Sequence, residues 1–196
     1  MGTRPAVRTR LATAADADAI AEIYNREVTQ GTTTFDLVPR SSAEQIAWMR
    51  EHSGAYPCIV AVPADDDAPA NRTRPADAPA AGTRPSCIQT AGAVLGWASL
   101  SPYRARPAYS TSVEDSVYVH HEHRGRGIGD VLLGDLVALA DEHGFHAVFA
   151  RIADAGAASV ALHARHGFEL VGVEREAGRK FGRWLDVTLM QRLRPT

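Results

Sequence analysis

The run Arg124-Gly125-Arg126-Gly127-Ile128-Gly129 sets three alternate glycines and two arginines between an extended apolar segment and an amphipathic one. Glycine tolerates positive φ and lets a ligand approach the main chain, and the first N–H groups of a helix have no partner inside it. A helix N-terminus also carries partial positive charge, to which Arg124 and Arg126 add full charges on planar donor forks. The chemistry this spacing suits is the binding of an anion, a phosphate or diphosphate above all. The plainer alternative is a tight strand-to-helix turn with solvated arginines. A Walker loop is excluded because no Gly-Lys-Ser/Thr ending is present. A dinucleotide loop needs Gly-x-Gly-x-x-Gly, whereas these glycines run Gly-x-Gly-x-Gly and no strand with an acidic ribose ligand follows at the required distance.

The elements that must hold this loop are legible on both sides. Ser116-Val117-Tyr118-Val119 is β-branched and aromatic, as a strand requires. Beyond the loop, Ile128, Leu132, Leu136 and Leu139 share one helical face, and Gly144 supplies a stop. Alternation along 111–119 puts Glu114, Ser116 and Tyr118 on one face of the strand that leads into the loop.

Arg124-x-x-Gly127-x-Gly129 after Val117-Tyr118-Val119 resembles the acetyl-CoA pyrophosphate loop of the GNAT superfamily of N-acetyltransferases. Ser159-x-x-Leu162-His163 followed by Gly167-Phe168 is similar to the second cofactor motif of its phosphinothricin and methionine sulfoximine branch, as is Lys180-Phe181-Gly182-Arg183-Trp184-Leu185-Asp186. The resemblance spans about residues 8 to 193. It implies that acetyl-CoA lies against Val117, Tyr118, Val119, Arg124, Gly125, Arg126, Gly127, Ile128, Gly129, Asp130 and Ser159.

By the same resemblance Glu114 takes a proton from the acceptor ammonium, directly or through water, and backbone N–H groups near Val119 receive the acetyl carbonyl. His163 returns a proton to the departing thiolate or helps to move the amine proton. Read without the family, Glu114 is equally a structural acid paired with a nearby arginine, and His163 a satisfied polar residue on a helix. The acceptor side is implied at Phe35, Arg104, Arg106 and Tyr109, with Arg104 or Arg106 gripping an amino acid carboxylate. Their plain alternatives are a hydrophobic anchor and solvated loop arginines. Two positions depart from the branch. Gly156 stands where asparagine is usual, which removes one hydrogen bond to the pantetheine arm, about 0.5–1.5 kcal/mol. Arg179 stands where relatives tend to carry an aromatic residue.

The remaining chain reads as strand 7–11, a helix carrying Ile20, Ile23, Tyr24 and Val28, a loop at 30–35, and a second helix from Ser41 or Ser42 through Arg50. Strands follow at 57–62 and 93–100, then at 146–152, a helix from about 157 to 166, and strands at 168–173 and 184–193 joined by a basic loop at Arg179 and Lys180. The expectation is a single α/β domain over 1–196 of the GNAT fold: a mixed, mostly antiparallel sheet of six to seven strands flanked by about four helices. Residues 63–91 are rich in alanine, proline, aspartate and arginine and are expected to form a disordered insertion.

Composition excludes other classes. At 196 residues, 45% hydrophobic, the chain fills one core, and a net charge of -2 leaves no basic footprint for nucleic acid or an anionic membrane. No apolar run reaches spanning length or forms a signal-type core, so a soluble cytoplasmic protein is expected. Cys58 and Cys87 have neither metal nor disulfide spacing. His120, His121 and His123 lack an acidic ligand pattern, and no metal is expected. The activity the resemblance implies is transfer of the acetyl group of acetyl-CoA to the α-amino group of a small amino-acid-like acceptor of the phosphinothricin or methionine sulfoximine type, and the assembly, from the family, a homodimer. Acetylation of another small amine or of a protein N-terminus, a non-catalytic acetyl-CoA sensor and, more remotely, a nicotinamide-binding protein are the alternatives.

Overall fold

The computed structural model describes residues 6–64, 93–154 and 156–194. Among the described residues one sheet contains all seven strands: β1 (Val7–Leu11), β2 (Cys58–Pro63), β3 (Gly96–Pro102), β4 (Ser112–Val119), β5 (Ala147–Ala153), β6 (Glu169–Lys180) and β7 (Arg183–Leu193), in the order β1-β2-β3-β4-β5-β7-β6. Every pairing is antiparallel except β4 with β5. The α-helices among the described residues are α1 (Ala17–Gln30), α2 (Ser42–Glu51), α3 (Ile128–Glu142) and α4 (Ala157–Arg165). This is the mixed, mostly antiparallel α/β sheet that the sequence predicts. The expected insertion at 63–91 lies, apart from Pro63 and Ala64, outside the described residues, as does Cys87.

Strand alternation sorts the core into two layers. Ile59, Ala61, Ala98 and Leu100 point to α3, whose Ile128, Leu132, Leu133, Leu136 and Ala140 cover that face. Cys58, Val60, Val62 and Trp97 point the other way, against Ile20, Ile23, Tyr24 and Val28 of α1. The helices start where local chemistry allows. Ser41 Oγ accepts from Glu44 N–H while the Glu44 carboxylate accepts from Ser41 N–H at 2.8 Å, a reciprocal cap for α2. Ahead of α1 the buried Asp16 carboxylate takes two 2.7 Å bonds from Arg10 and one from Thr13 N–H, tying β1 to the helix start.

The feature that makes a site is the parting of β4 from β5. They pair only over Ser112–Ala147, Val113–Val148 and Glu114–Phe149, although β4 continues to Val119 and β5 to Ala153. Beyond Glu114 the two strands diverge, and the main-chain donors on that edge of β4 lose their strand partner.

Two boundaries differ from expectation. The third strand begins at Gly96, not residue 93, and at Gly96 it crosses β4 so closely that a Cβ would lie 2.8 Å from the Tyr118 carbonyl. Arg179 and Lys180 are not in a loop: β6 runs through both, and the turn is Phe181-Gly182. Lys180 is 2% exposed, with Nζ donating to the carbonyls of Glu27 at 3.0 Å and Thr34 at 2.8 Å. An ammonium needs such acceptors once removed from water. Burial is the main influence on its pKa, which falls below the ordinary lysine value despite the nearby Asp36 and Glu27.

Candidate active site

A cleft of about 680 Å³ opens where β4 and β5 part, reaching from the loop after α1 to the start of α3 and along α4. At one end lies the glycine loop. Gly125 and Gly127 have φ of 74° and 84°, and Gly127 is the N-cap of α3. That left-handed cap exposes the helix N-terminus, where the N–H groups of Ile128 and Gly129 precede the first intrahelical bond. Gly129 packs tightly, since a Cβ there would meet Leu162 Cδ2 at 3.3 Å. The loop therefore presents main chain, as an anion site requires.

Of the residues expected to hold the cofactor, Val117, Tyr118, Val119, Arg124, Gly125, Gly127, Ile128, Gly129, Asp130 and Ser159 all line the cleft. Arg126 does not. It is exposed, and its guanidinium lies 3.3 Å from His123 Nδ1. Arg124 is at the loop but engaged, bonded to the Glu27 carboxylate and, through Nε, to the Val119 carbonyl at 3.3 Å. Asp130 receives bonds from Arg165 and His166, which join α3 to α4. Burial raises its pKa, but those partners outweigh it and hold the carboxyl below its ordinary range. Gly156 caps α4 with no side-chain bond, and a Cβ there would meet Ile152 Cγ2 at 3.3 Å.

The backbone of β4 supplies donors. His120 N–H bonds Leu95 on the β3 side, so alternation directs the N–H groups of Val117 and Val119 to the opposite edge, into the cleft. Donors fixed in this way suit an oxygen that gains negative charge.

Glu114 and Asp115 project from opposite faces of β4. Glu114 is half-buried, and no described residue hydrogen-bonds its carboxylate. Burial pushes its pKa up, with Arg151 opposing and the neighbouring Asp115 and Glu174 adding to the rise. Asp115 faces α4, where its Oδ2 lies 3.0 Å from His163 Nε2. His163 Nδ1 is 2.7 Å from the Ser159 carbonyl and 3.3 Å from its Oγ. Burial disfavours the His163 cation, but the bonds to Asp115 and Ser159 outweigh it and raise the pKa.

The acceptor residues divide. Phe35 lines the cleft with Thr33 and Thr34, pressed so closely on β6 that a Cβ at Gly178 would lie 2.5 Å from its ring. Lys180 fixes the same loop from below through the Thr34 carbonyl. Arg104, Arg106 and Tyr109 do not line the cleft. They are exposed on the turn between β3 and β4, where Tyr103 stacks on Phe149 at 4.0 Å and Arg104 lies 5.0 Å over Tyr103. The lining guanidinium nearest in role is Arg151 on β5, bonded to Glu174 at 2.6 and 3.0 Å. Neither Arg151 nor Asp115 was predicted. Alternation along β4 carried the signal for Asp115, one residue out of phase with Glu114. Among the described residues no group of three or more His, Cys, Asp or Glu is placed to hold a metal, and no helix is long and apolar enough to cross a membrane.

A parted pair of parallel strands, a helix start with open amides and a carboxylate that no described residue hydrogen-bonds thus meet in one cleft of a mixed α/β sheet. The acetyltransferase (GNAT) family matches residues 46–168, and the chain belongs to that family. It is 37% identical over 179 residues to the phosphinothricin N-acetyltransferase of Streptomyces coelicolor, covering 90% of each chain. It is equally 37% identical to the L-methionine sulfoximine/L-methionine sulfone acetyltransferase of Pseudomonas paraeruginosa, over 90% of this chain and 88% of that one. A crystal structure of a phosphinothricin acetyltransferase from Sinorhizobium meliloti in complex with acetyl-CoA superposes with a TM-score of 0.79 at 37% identity, covering 95% of this chain and 88% of that one.

Proposed function

We propose that this acetyltransferase moves the acetyl group of acetyl-CoA to the α-amino group of a small amino acid of the phosphinothricin or methionine sulfoximine type, in the cytoplasm. The observation that carries the reading is the cleft itself, with a phosphate-suited loop at one end and the Glu114 carboxylate, bonded by no described residue, on the α1 side. Relatives named for those acceptors support the substrate class.

Each residue has a task. The N–H groups of Ile128 and Gly129 hold the diphosphate at the α3 N-terminus. Arg124 stays on Glu27 and fixes the loop's position, while Arg126 offers its charge from outside. Glu114 removes a proton from the acceptor ammonium, directly or through water, so that a neutral amine meets the thioester. The Val117 and Val119 N–H groups stabilise the carbonyl oxygen as it becomes an oxyanion. His163 is the acid for the departing sulfur. Phe35 walls the acceptor pocket, and Arg151 is better placed than Arg104 or Arg106 to meet a carboxylate because it lines the cleft beside Glu114.

Release of free CoA measured over a panel of amino acids, sulfoximines, other small amines and peptide N-termini tests the assignment. Turnover concentrated on phosphinothricin- or sulfoximine-like amino acids is expected. Turnover confined to peptides or simple amines, or none at all, contradicts it.

The same reading makes the chain a homodimer. Leu170, Val171 and Val173 are 64%, 54% and 52% exposed on the edge strand β6, and Phe181 and Trp184 are exposed at its hairpin end. A second copy is the partner that would cover such an edge. Sedimentation is expected to give twice the chain mass of 21.0 kDa. A monomer at all concentrations refutes the dimer without touching the chemistry.

A further inference from the structure

We propose that Asp115 is a positioning residue of the acetyl transfer, fixing the His163 ring and keeping it as an imidazolium with both N–H bonds in place. This rests on His163 being the acid of the reaction. The argument begins with a proton inventory. His163 Nδ1 lies 2.7 Å from the Ser159 carbonyl, which can only accept, so Nδ1 carries a hydrogen. Nε2 lies 3.0 Å from Asp115 Oδ2. One proton is shared there, and an imidazole holds it in preference to a carboxylate because its intrinsic basicity is higher by about two to three pH units. Both ring nitrogens are then donors, each with a fixed acceptor.

Burial sharpens the dependence. His163 is 3% exposed and Asp115 7%. A charge so far from water persists only with a partner. Asp115 Oδ1 has no hydrogen-bond partner among the described atoms, so His163 is the one group that answers the carboxylate. Among the described residues Asp115 is the one charged group that bears on the ring. Ser159 faces it from its own helix, Phe168 meets it edge-on at 5.0 Å, and Asp115 is the ionisable group that β4 turns towards it, Glu114 lying on the other face of the strand.

Because Nδ1–H is committed to main chain, the proton the ring gives is the one on Nε2, which must leave its bond to Asp115 Oδ2 to do so. That proton passes to sulfur as the carbon–sulfur bond breaks and its electron pair stays on sulfur. Of the two protons shed by the attacking ammonium, one returns to the ring and the other leaves to solvent. Between those events a neutral ring faces a buried carboxylate, an arrangement that favours prompt reprotonation.

The sign of the pH effect follows. An acid works while protonated, and a carboxylate partner extends that condition to higher pH, so the alkaline limb of kcat should lie higher with Asp115 than without it. Asp115→Asn keeps an acceptor for Nε2–H and removes the charge. In histidine-labelled protein, 15N NMR of the wild type is expected to show both His163 nitrogens protonated through neutral pH. In D115N the ring should turn neutral at lower pH, with the alkaline limb shifted down by roughly one unit or more. Turnover at pH 8 should fall about 10-fold, part of the roughly 10²–10⁴ that acid–base catalysis supplies, with acetyl-CoA affinity unchanged. A neutral His163 tautomer in the wild type at pH 7, or a folded D115N with unaltered ring signals and limb, overturns the proposal. If D115N does not fold, the wild-type spectrum alone decides. Retention of full turnover and an unshifted limb by His163→Gln would instead sink the acid role, a failure separable from the NMR result.

Discussion

Glu114→Gln is expected to lower turnover by about 10²–10⁴-fold while leaving acetyl-CoA affinity unchanged. Glutamine preserves the shape of the side chain on β4 and removes its ability to take a proton. Glu114 has no hydrogen-bond partner among the described residues, so the substitution breaks no bond that holds the fold. The loss should therefore appear in kcat and kcat/KM together, the pattern of an interaction made in the transition state. The pH profile carries the same assignment. Burial raises the Glu114 pKa more than Arg151 lowers it. A base works when deprotonated, so kcat/KM should climb with pH along a limb that lies above the ordinary glutamate range. That limb should vanish in the residual activity of the variant. Stopped-assay CoA release, paired with calorimetry of acetyl-CoA binding, reads both quantities. Full turnover by the variant would leave Glu114 a structural acid.

The second large effect is at the loop. Gly127→Val places a branched side chain at φ 84°, a conformation that costs an L-residue about 1–2 kcal/mol. Relief by rearrangement withdraws the amides at the start of α3, and each charge-assisted bond to phosphate that is lost costs about 1.5–3 kcal/mol more. Acetyl-CoA should bind roughly 100-fold more weakly or worse. Gly144→Ala is the matched control. It stands at φ 79° after the other end of α3, with open space around it, and does not line the cleft. Its strain should lower stability and leave acetyl-CoA affinity intact. Equal loss of affinity in both variants would mean that the loop matters for folding alone.

Where a segment's own period decides its structure, the sequence was enough to read it. The 3.6-residue spacing of Ile128, Leu132 and Leu136 and the β-branched run at Val117-Tyr118-Val119 located α3 and β4, and with them the glycine loop between. Motif position points to Glu114 and His163, and both line the cleft. What escaped was decided by contacts distant in sequence. Lys180 reads as hairpin charge, yet its ammonium is buried on carbonyls of Glu27 and Thr34, which nothing near residue 180 announces. Arg124 reads as a phosphate ligand, yet its charge is already answered by Glu27 on α1. Arg104, Arg106 and Tyr109 sit in a segment with no period, and the stacking of Tyr103 on Phe149 decides where that turn goes. Asp115 was visible as the out-of-phase neighbour of Glu114, but its importance comes from His163, 48 residues away.

The central claim is that the α3 N-terminus holds the diphosphate of acetyl-CoA within the cleft between β4 and β5. Calorimetric titration of the full chain with acetyl-CoA tests it most directly. Saturable binding of one equivalent per chain is predicted, with a Kd of roughly 1 μM to 1 mM. The absence of any binding heat at millimolar acetyl-CoA, with the protein shown to be folded, would contradict the account.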